Sequence, residues 1–448
     1  MLPRRFRGAL RDGIWLWAIV VAALAVRVAF VAATPSYDPV LHDDGAYSDL
    51  SCALSQQGSY PRYSDLAHHA TAYRSPAYPY FLAAVDELTG CNPQASPMTT
   101  TAWPRIAGAG LGAIAVALVA WLAARWWSRG AGIAAGLLAA LFGPAIVVDS
   151  QLVSESLFVA LALAAVVAVV LLRDRPGRVR WAIAAGVAAG LATLTRTNGA
   201  LLVPALAAGA WVIEPRWSWR GLTAPFLVVV AAVLVVLPWT LRNERDLHRF
   251  IAVSDEFGGT LAGTYNDVAR TDPFGPGAWT PPQAVARYRP LFRTATRLDL
   301  PEPTFEDRLL SSALAYASAH PAYVGEVAGY NTLRLAGIRG RQDFLTSARA
   351  LGLPEWPVRL ALVTSEFLAL FALAGIVSGA ARGSPRFVWV AASLLFVTTV
   401  LVNADALRFQ VPFGPFEALL AGAAIAAMFR RSRQIARSAA RQTTVADS

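Results

Sequence analysis

A series of long apolar runs constrains this chain more than any other feature. They fall at 14–33, 104–124, 130–148, 155–172, 181–195, 199–213, 222–239, 359–379, 387–402 and 410–429. A hydrocarbon layer takes about 20 apolar residues per helical crossing. Within it, backbone N–H and C=O groups must bond inside the segment, which makes the α-helix the natural unit. The sequence therefore predicts an all-α, polytopic membrane protein with about ten transmembrane helices. Composition agrees: 56% of the residues are hydrophobic and 15% charged, whereas a soluble domain needs about a quarter charged. A soluble fold so composed would expose apolar patches that drive aggregation.

The formal charge is +10, and all 39 cationic side chains are arginine. A basic chain often binds nucleic acid. Here the arginines sit between apolar runs instead of on one basic face, which is the pattern of topology signals and gives no reason to expect a nucleic-acid partner. With the N-terminus in the cytoplasm, segments 1–12, 125–130, 173–180, 214–220, 380–386 and 430–448 are inside and hold nineteen arginines. The short outside turns at 149–154, 196–198 and 403–409 hold two. That bias predicts cytoplasmic termini, with 34–103 and 240–358 on the outer face of a cell membrane.

The expected organisation is a transmembrane module over 1–239 that includes the outer loop 34–103. An extracytoplasmic region (240–358), C-terminal membrane helices (359–429) and a basic cytoplasmic tail (430–448) follow. Run 14–33 has full spanning length and no small-residue cleavage site after it, so it is expected to be a retained first helix. The first outer loop predicts a helix from Ala46 to Gln57, a Pro-rich turn and a helix from Tyr78 to Leu88, lying along the membrane surface. The second predicts a Pro/Gly-rich stretch from Asp272 to Pro282, then helix from Thr304 to about Ile338 broken at Pro321. Cys52 and Cys91 both fall in the first outer loop, where an oxidising surrounding permits a disulfide; two unpaired thiols remain the alternative.

Candidate site residues come from what this topology places outside. The first loop opens with His42-Asp43-Asp44-Gly45-Ala46-Tyr47 and reaches Tyr73-Arg74-Ser75-Pro76-Ala77-Tyr78-Pro79. An aspartate here can take the proton of an acceptor hydroxyl, although acids also favour helix N-termini. Glu155, after Ser154 at the start of the fourth span, is either an N-terminal complement to its helix or a second acid of the same site; Asp149 is close by. Arg74, Arg196 and Arg408 stand outside against the inside bias. Each can anchor at lipid headgroups or bind a phosphate through its guanidinium fork, and Arg408 can also pair with Asp405. Arg27, inside the first span, either snorkels outward or pairs within the bundle. Arg242 and Asn243, after Pro238-Trp239, close the seventh span. His42, His68, His69, His248 and His320 lack zinc-ligand spacing, so no metal site is indicated.

Taken together, Asp43-Asp44-x-x-Tyr47 followed by Tyr73-Arg74-Ser75-Pro76-x-Tyr78-Pro79 resembles the first outer loop of glycosyltransferase family 39. That family includes the protein O-mannosyltransferases and the lipid A aminoarabinose transferase, of GT-C architecture. Leu152-Val153-Ser154-Glu155, Leu194-Thr195-Arg196, Pro238-Trp239-x-x-Arg242-Asn243 and Arg408-x-x-x-Pro412-x-x-Pro415 follow in the family's order. The resemblance implies a polyprenyl-phosphate sugar as donor, an extracytoplasmic glycan, lipid or protein acceptor, and inverting transfer. It implies Asp43 as the base, with Asp44 and Glu155 as further acids, and Arg74, Arg196 and Arg408 at the donor phosphate. Tyr47, Tyr78, Arg242 and Asn243 are further site candidates. No cofactor is obligatory, and a divalent metal is possible but not indicated. Asp44 stands where many relatives have Glu, Arg74 where some have Lys, and beyond Arg242 the match thins. A flippase of lipid-linked sugars would use the same arginines, but it usually has two related halves, and none is visible. A non-catalytic scaffold and an enzyme using a diphosphate-linked donor are the remaining alternatives.

Overall fold

The computed structural model describes residues 4–34, 43–58, 60, 70–91, 102–273, 275–298, 300–350, 352–404 and 407–429. His42, His68, His69, Asp405 and the tail 430–448 lie outside them. Helices account for nearly all of the regular structure. The first stretch holds α1 (Arg4–Ala33), α2 (Asp43–Gln57), α3 (Ala77–Thr89), α4 (Ala102–Trp126), α5 (Arg129–Ala140) and α6 (Gly143–Val148). Then come α7 (Glu155–Asp174), α8 (Arg180–Thr195), α9 (Leu202–Ala210) and α10 (Trp219–Leu247). The region after it holds α11 (Phe257–Thr264), α12 (Asp267–Arg270), α13 (Arg289–Leu298), α14 (Glu302–Ala319), α15 (Pro321–Leu335) and α16 (Arg341–Ala350). The chain ends through α17 (Glu355–Val377), α18 (Arg386–Val402) and α19 (Gly414–Phe429).

Among the described residues five helices are long and apolar enough to cross a membrane: Gly13–Ala33 of α1, α4, α7, α10 and α17. The other expected runs appear as shorter apolar helices, α5, α8, α18 and α19, with the sixth split between a 3₁₀ turn (Thr197–Leu201) and α9. The third run is not one helix. It stops at Ala140 and restarts as α6, where Pro144 occupies the first turn, the place its missing N–H is tolerated.

Packing follows residue size. On α8, a Cβ on Gly186 would collide with the Val228 carbonyl and one on Gly190 with the Ala232 carbonyl. This small-xxx-small spacing lets α8 and α10 approach backbone to backbone. The opposite side of α10 leaves Phe226, Val233 and Leu241 more than half exposed, an apolar face suited to lipid. At about 1.5 Å per residue, the 29 residues of α10 exceed a hydrocarbon layer of about 30 Å. The helix runs to Leu247, past the expected limit at 239, and ends where His248 turns left-handed at φ 54°.

One ion pair is sealed inside the bundle. Arg27 Nε donates to Asp149 Oδ2 at 2.7 Å, and the Ser156 hydroxyl donates to Asp149 Oδ1 at 2.7 Å. Arg27 therefore pairs internally and does not snorkel, and Asp149 is its partner. Both are almost wholly buried, so the pairing is what offsets their desolvation.

The two long connections pack at one end of the bundle. In the first, α2 and α3 are stapled by the Cys52–Cys91 disulfide, and Tyr47 meets Tyr78 edge to face at 5.0 Å. In the second, Tyr265, Tyr288, Phe305, Tyr316 and Tyr323 share a core. That core is tied to the end of α18 by Thr264 and Tyr265 hydroxyls donating to the Val402 and Leu401 carbonyls. Helix α14 ends before His320 and α15 restarts at Pro321, as the proline predicts.

Candidate functional site

The site is assembled on an irregular stretch, 71–74, whose backbone groups belong to no helix and must find partners elsewhere. The second connection supplies them. Arg242 donates to the Thr71 carbonyl at 2.7 Å, and Ser254 donates to the Tyr73 carbonyl at 2.8 Å. Glu302 accepts from the Thr71 hydroxyl at 2.8 Å and from the Ala72 N–H at 2.7 Å. Arg242 is thus a brace, stacked over Tyr60 and Trp239. Fully buried Asn243 donates to the Ile251 carbonyl at 3.0 Å, fixing the chain's return after α10.

Held this way, Arg74 projects over Tyr73 and Tyr47. It pairs with Asp43 in the first turn of α2 and, at 3.0 Å, with Glu256 just before α11. The other Asp43 oxygen pairs with Arg408, from the 3₁₀ turn 407–410. Arg408 Nε lies 3.7 Å from Glu155 Oε1, and Arg196 at the end of α8 binds that oxygen at 2.5 Å and the Ser154 hydroxyl at 3.1 Å. The result is one alternating chain: Glu256, Arg74, Asp43, Arg408, Glu155, Arg196. Acid and guanidinium groups from six separate places in the sequence meet at one end of the bundle.

The members differ in access. Glu155 is fully buried and its Oε2 has no bonding partner among the described residues. Asp43 and Arg74 are about a fifth exposed or less, and Glu256 is the most open at 34%. Burial alone would push the Asp43 carboxyl up. Arg408 and Arg74 outweigh it and hold Asp43 well below the usual carboxylate range. At Glu256 burial wins over Arg74, and its carboxyl is pushed up.

Of the residues expected from sequence, Asp43, Arg74, Glu155, Arg196 and Arg408 come together, and Tyr47 lies against Arg74. Arg408 bonds Asp43, and the Asp405 pairing considered from sequence lies outside the described residues. Asp44 is buried and accepts from the Leu152 N–H at 3.3 Å, and Tyr78 packs between Tyr47 and Phe81. Glu256 was not foreseen. Its only sequence signal is an acid pair, Asp255-Glu256, ahead of a helix, which reads equally well as capping. Among the described residues no group of three or more His, Cys, Asp or Glu side chains is arranged to hold a metal ion.

Comparison with known proteins bears on this arrangement. Residues 74–241 match the dolichyl-phosphate-mannose-protein mannosyltransferase family; the match contains Arg74, Glu155 and Arg196 and leaves out Asp43, Glu256 and Arg408. No curated protein sequence matches the chain. Among solved structures, the oligosaccharyltransferase AglB from Archaeoglobus fulgidus, in complex with an inhibitory peptide and a dolichol-phosphate, aligns with a TM-score of 0.53 at 14% identity over 95% of this chain and 52% of its own. The same enzyme tethered to an acceptor peptide also gives 0.53. ArnT from Cupriavidus metallidurans bound to undecaprenyl phosphate gives 0.41 at 20% identity over 92% of this chain and 78% of its own. The chain thus spans about half the length of the archaeal oligosaccharyltransferase, and over that length it has the same fold, the GT-C architecture.

Proposed function

We propose that the protein is a membrane glycosyltransferase that moves a sugar from a polyprenyl-phosphate carrier to an acceptor outside the cytoplasm. The observation that carries this reading is the alternating chain itself. Three guanidinium groups from separate elements converge beside three carboxylates, Glu256, Glu155 and Asp43, the last with its proton held off. Further support comes from the match to a family described by a lipid-phosphate sugar donor and from the shared fold of a protein solved in complex with a dolichol-phosphate.

In the mechanism we infer, the acceptor hydroxyl attacks C1 of the sugar from the face opposite the phosphate, inverting the centre. Asp43 takes the hydroxyl proton as the new C–O bond forms and the C1–O bond to the phosphate breaks. The electron pair leaves with the lipid phosphate. Arg74, Arg196 and Arg408 face the charge that gathers there, a fixed arrangement with no reorganisation to make at the moment of reaction. Once Arg74 and Arg408 also face the phosphate, its negative charge offsets theirs at Asp43 and raises the carboxylate toward the basicity that proton transfer needs. The positive-inside bias supports placing this end outside and both termini in the cytoplasm. So does the Cys52–Cys91 disulfide, since such bonds persist in oxidising surroundings.

The test is direct. Purified full-length protein is mixed with a panel of polyprenyl-phosphate sugars and cell-envelope extract, and mass spectrometry follows carrier and acceptor. One carrier should be consumed while an acceptor gains its sugar; no consumption of any carrier contradicts the assignment.

A further inference from the structure

Both terminal nitrogens of Arg74 are engaged. One bonds Asp43, the other bonds Glu256 at 3.0 Å, and Nε is buried with no partner among the described residues. A phosphate using the fork of this guanidinium needs at least one terminal nitrogen back. The two carboxylates are not equally placed to yield. Asp43 is shared with Arg408 and lies deeper. Glu256 has Arg74 as its side-chain partner, is the most exposed member of the chain, and rides on the short stretch 254–256 that enters α11.

Charge points the same way. Three carboxylates face three guanidinium groups, so the cluster by itself is neutral when all are ionised. A sugar phosphodiester carries one negative charge, as Glu256 does. Exchange of one for the other leaves the balance unchanged, whereas adding the phosphate while keeping Glu256 leaves one excess negative charge beside Asp43.

Resting on the assignment of Arg74 to the donor phosphate, we propose that Glu256 is a built-in stand-in for that phosphate. Its carboxylate pairs with Arg74 when no donor is bound, is displaced by the incoming donor, and returns to compete the lipid phosphate off after transfer. The product is a phosphate monoester carrying up to about two charges. It would otherwise be held more tightly than the donor, so the competing carboxylate favours release. The raised proton affinity of Glu256 is consistent with a carboxylate that leaves its guanidinium readily.

Binding of undecaprenyl phosphate to the full chain in nanodiscs tests this, comparing wild type with Glu256→Gln, Glu256→Ala, Arg74→Gln and the Arg74→Gln/Glu256→Gln double variant. Both Glu256 substitutions should tighten the dissociation constant by about tenfold, a gain that a merely structural role would not produce. Arg74→Gln should weaken binding and erase that gain in the double variant. Unchanged or weaker binding in both Glu256 variants overturns the stand-in, and using two variants guards against one failing to fold. If Arg74→Gln binds as wild type does, the assignment of Arg74 to phosphate fails and the stand-in falls with it. If Arg74→Gln weakens binding while the Glu256 variants do not tighten it, only the stand-in falls.

Discussion

Arg408 and Asp43, from opposite ends of the chain, are joined in an ion pair at the centre of the site. The pair closes the C-terminal helices onto the first connection and, with Arg74, keeps Asp43 ionised against the cost of burial. Replacing Arg408 by Gln removes one of the charges that lower the Asp43 pKa, so that pKa rises. The acid limb of the pH–rate profile should then move to higher pH in Arg408→Gln, alongside a loss of rate. An acid limb that stays put shows that Asp43 does not set it.

The Arg27–Asp149 pair makes a different kind of claim, about stability. Removing one partner leaves an uncompensated buried charge, typically about 3–5 kcal/mol. Arg27→Met and Asp149→Leu should each lower thermal stability sharply, and the double variant should recover much of it. A Cβ on Gly112 would overlap the Asp149 carboxylate and crowd Arg27, so Gly112→Ala should resemble the single variants. Thermal unfolding in detergent reads all four; additive losses in the double variant would count against the pair.

A group of acids behind the site gives a pH prediction. Burial pushes Glu306 up to about 8, against the Gly259 N–H it accepts and with the Glu302 and Glu256 charges adding to the rise. Asp255 and Glu302 are pushed up as well, chiefly by burial; in Glu302 the bonds from Thr71 and Ala72 and the Arg242 charge work against it. The folded protein therefore holds protons that the unfolded chain, with ordinary carboxylates near 4, has released. The stability these acids contribute is greatest below that ordinary value and is lost as pH rises toward about 8. The thermal midpoint should drop between pH 5 and pH 8, and Glu306→Gln should flatten the drop. An unaltered slope in that variant would place the pH dependence elsewhere.

The Cys52–Cys91 bridge closes a loop of 39 residues between the helix that carries Asp43 and the end of α3. On the chain-entropy argument such a link is worth about 4 kcal/mol. Reduction, or Cys52→Ala with Cys91→Ala, should lower the thermal midpoint without abolishing membrane insertion. Equal midpoints with and without reductant would show that packing of α2 on α3 suffices.

Much of the architecture was legible because apolar run length and arginine placement are local signals. The Pro321 break and both helices of the first connection were equally plain. Run 130–148, where Pro/Gly breaks interrupt the apolar pattern, divides into two helices at a point the pattern does not fix, since Pro144 is as compatible with a helix's first turn as with a gap. The far end of α10 was also missed. Its last turns are polar, and they stay helical because Arg242 and Asn243 are held by Thr71 and Ile251, contacts no local pattern reports. Five members of the site could be named from motif order, because charges stranded at an arginine-poor surface are conspicuous. Glu256 could not, since its meaning comes only from the fold that brings the second connection over Arg74.

The most direct test of the account is Asp43→Asn in the full-length protein, with undecaprenyl phosphate binding and sugar transfer measured on the same preparation. The account predicts that lipid phosphate is still bound while transfer falls by roughly 10²–10⁴-fold, the usual contribution of a general base. Transfer at the wild-type rate by that folded variant would contradict it.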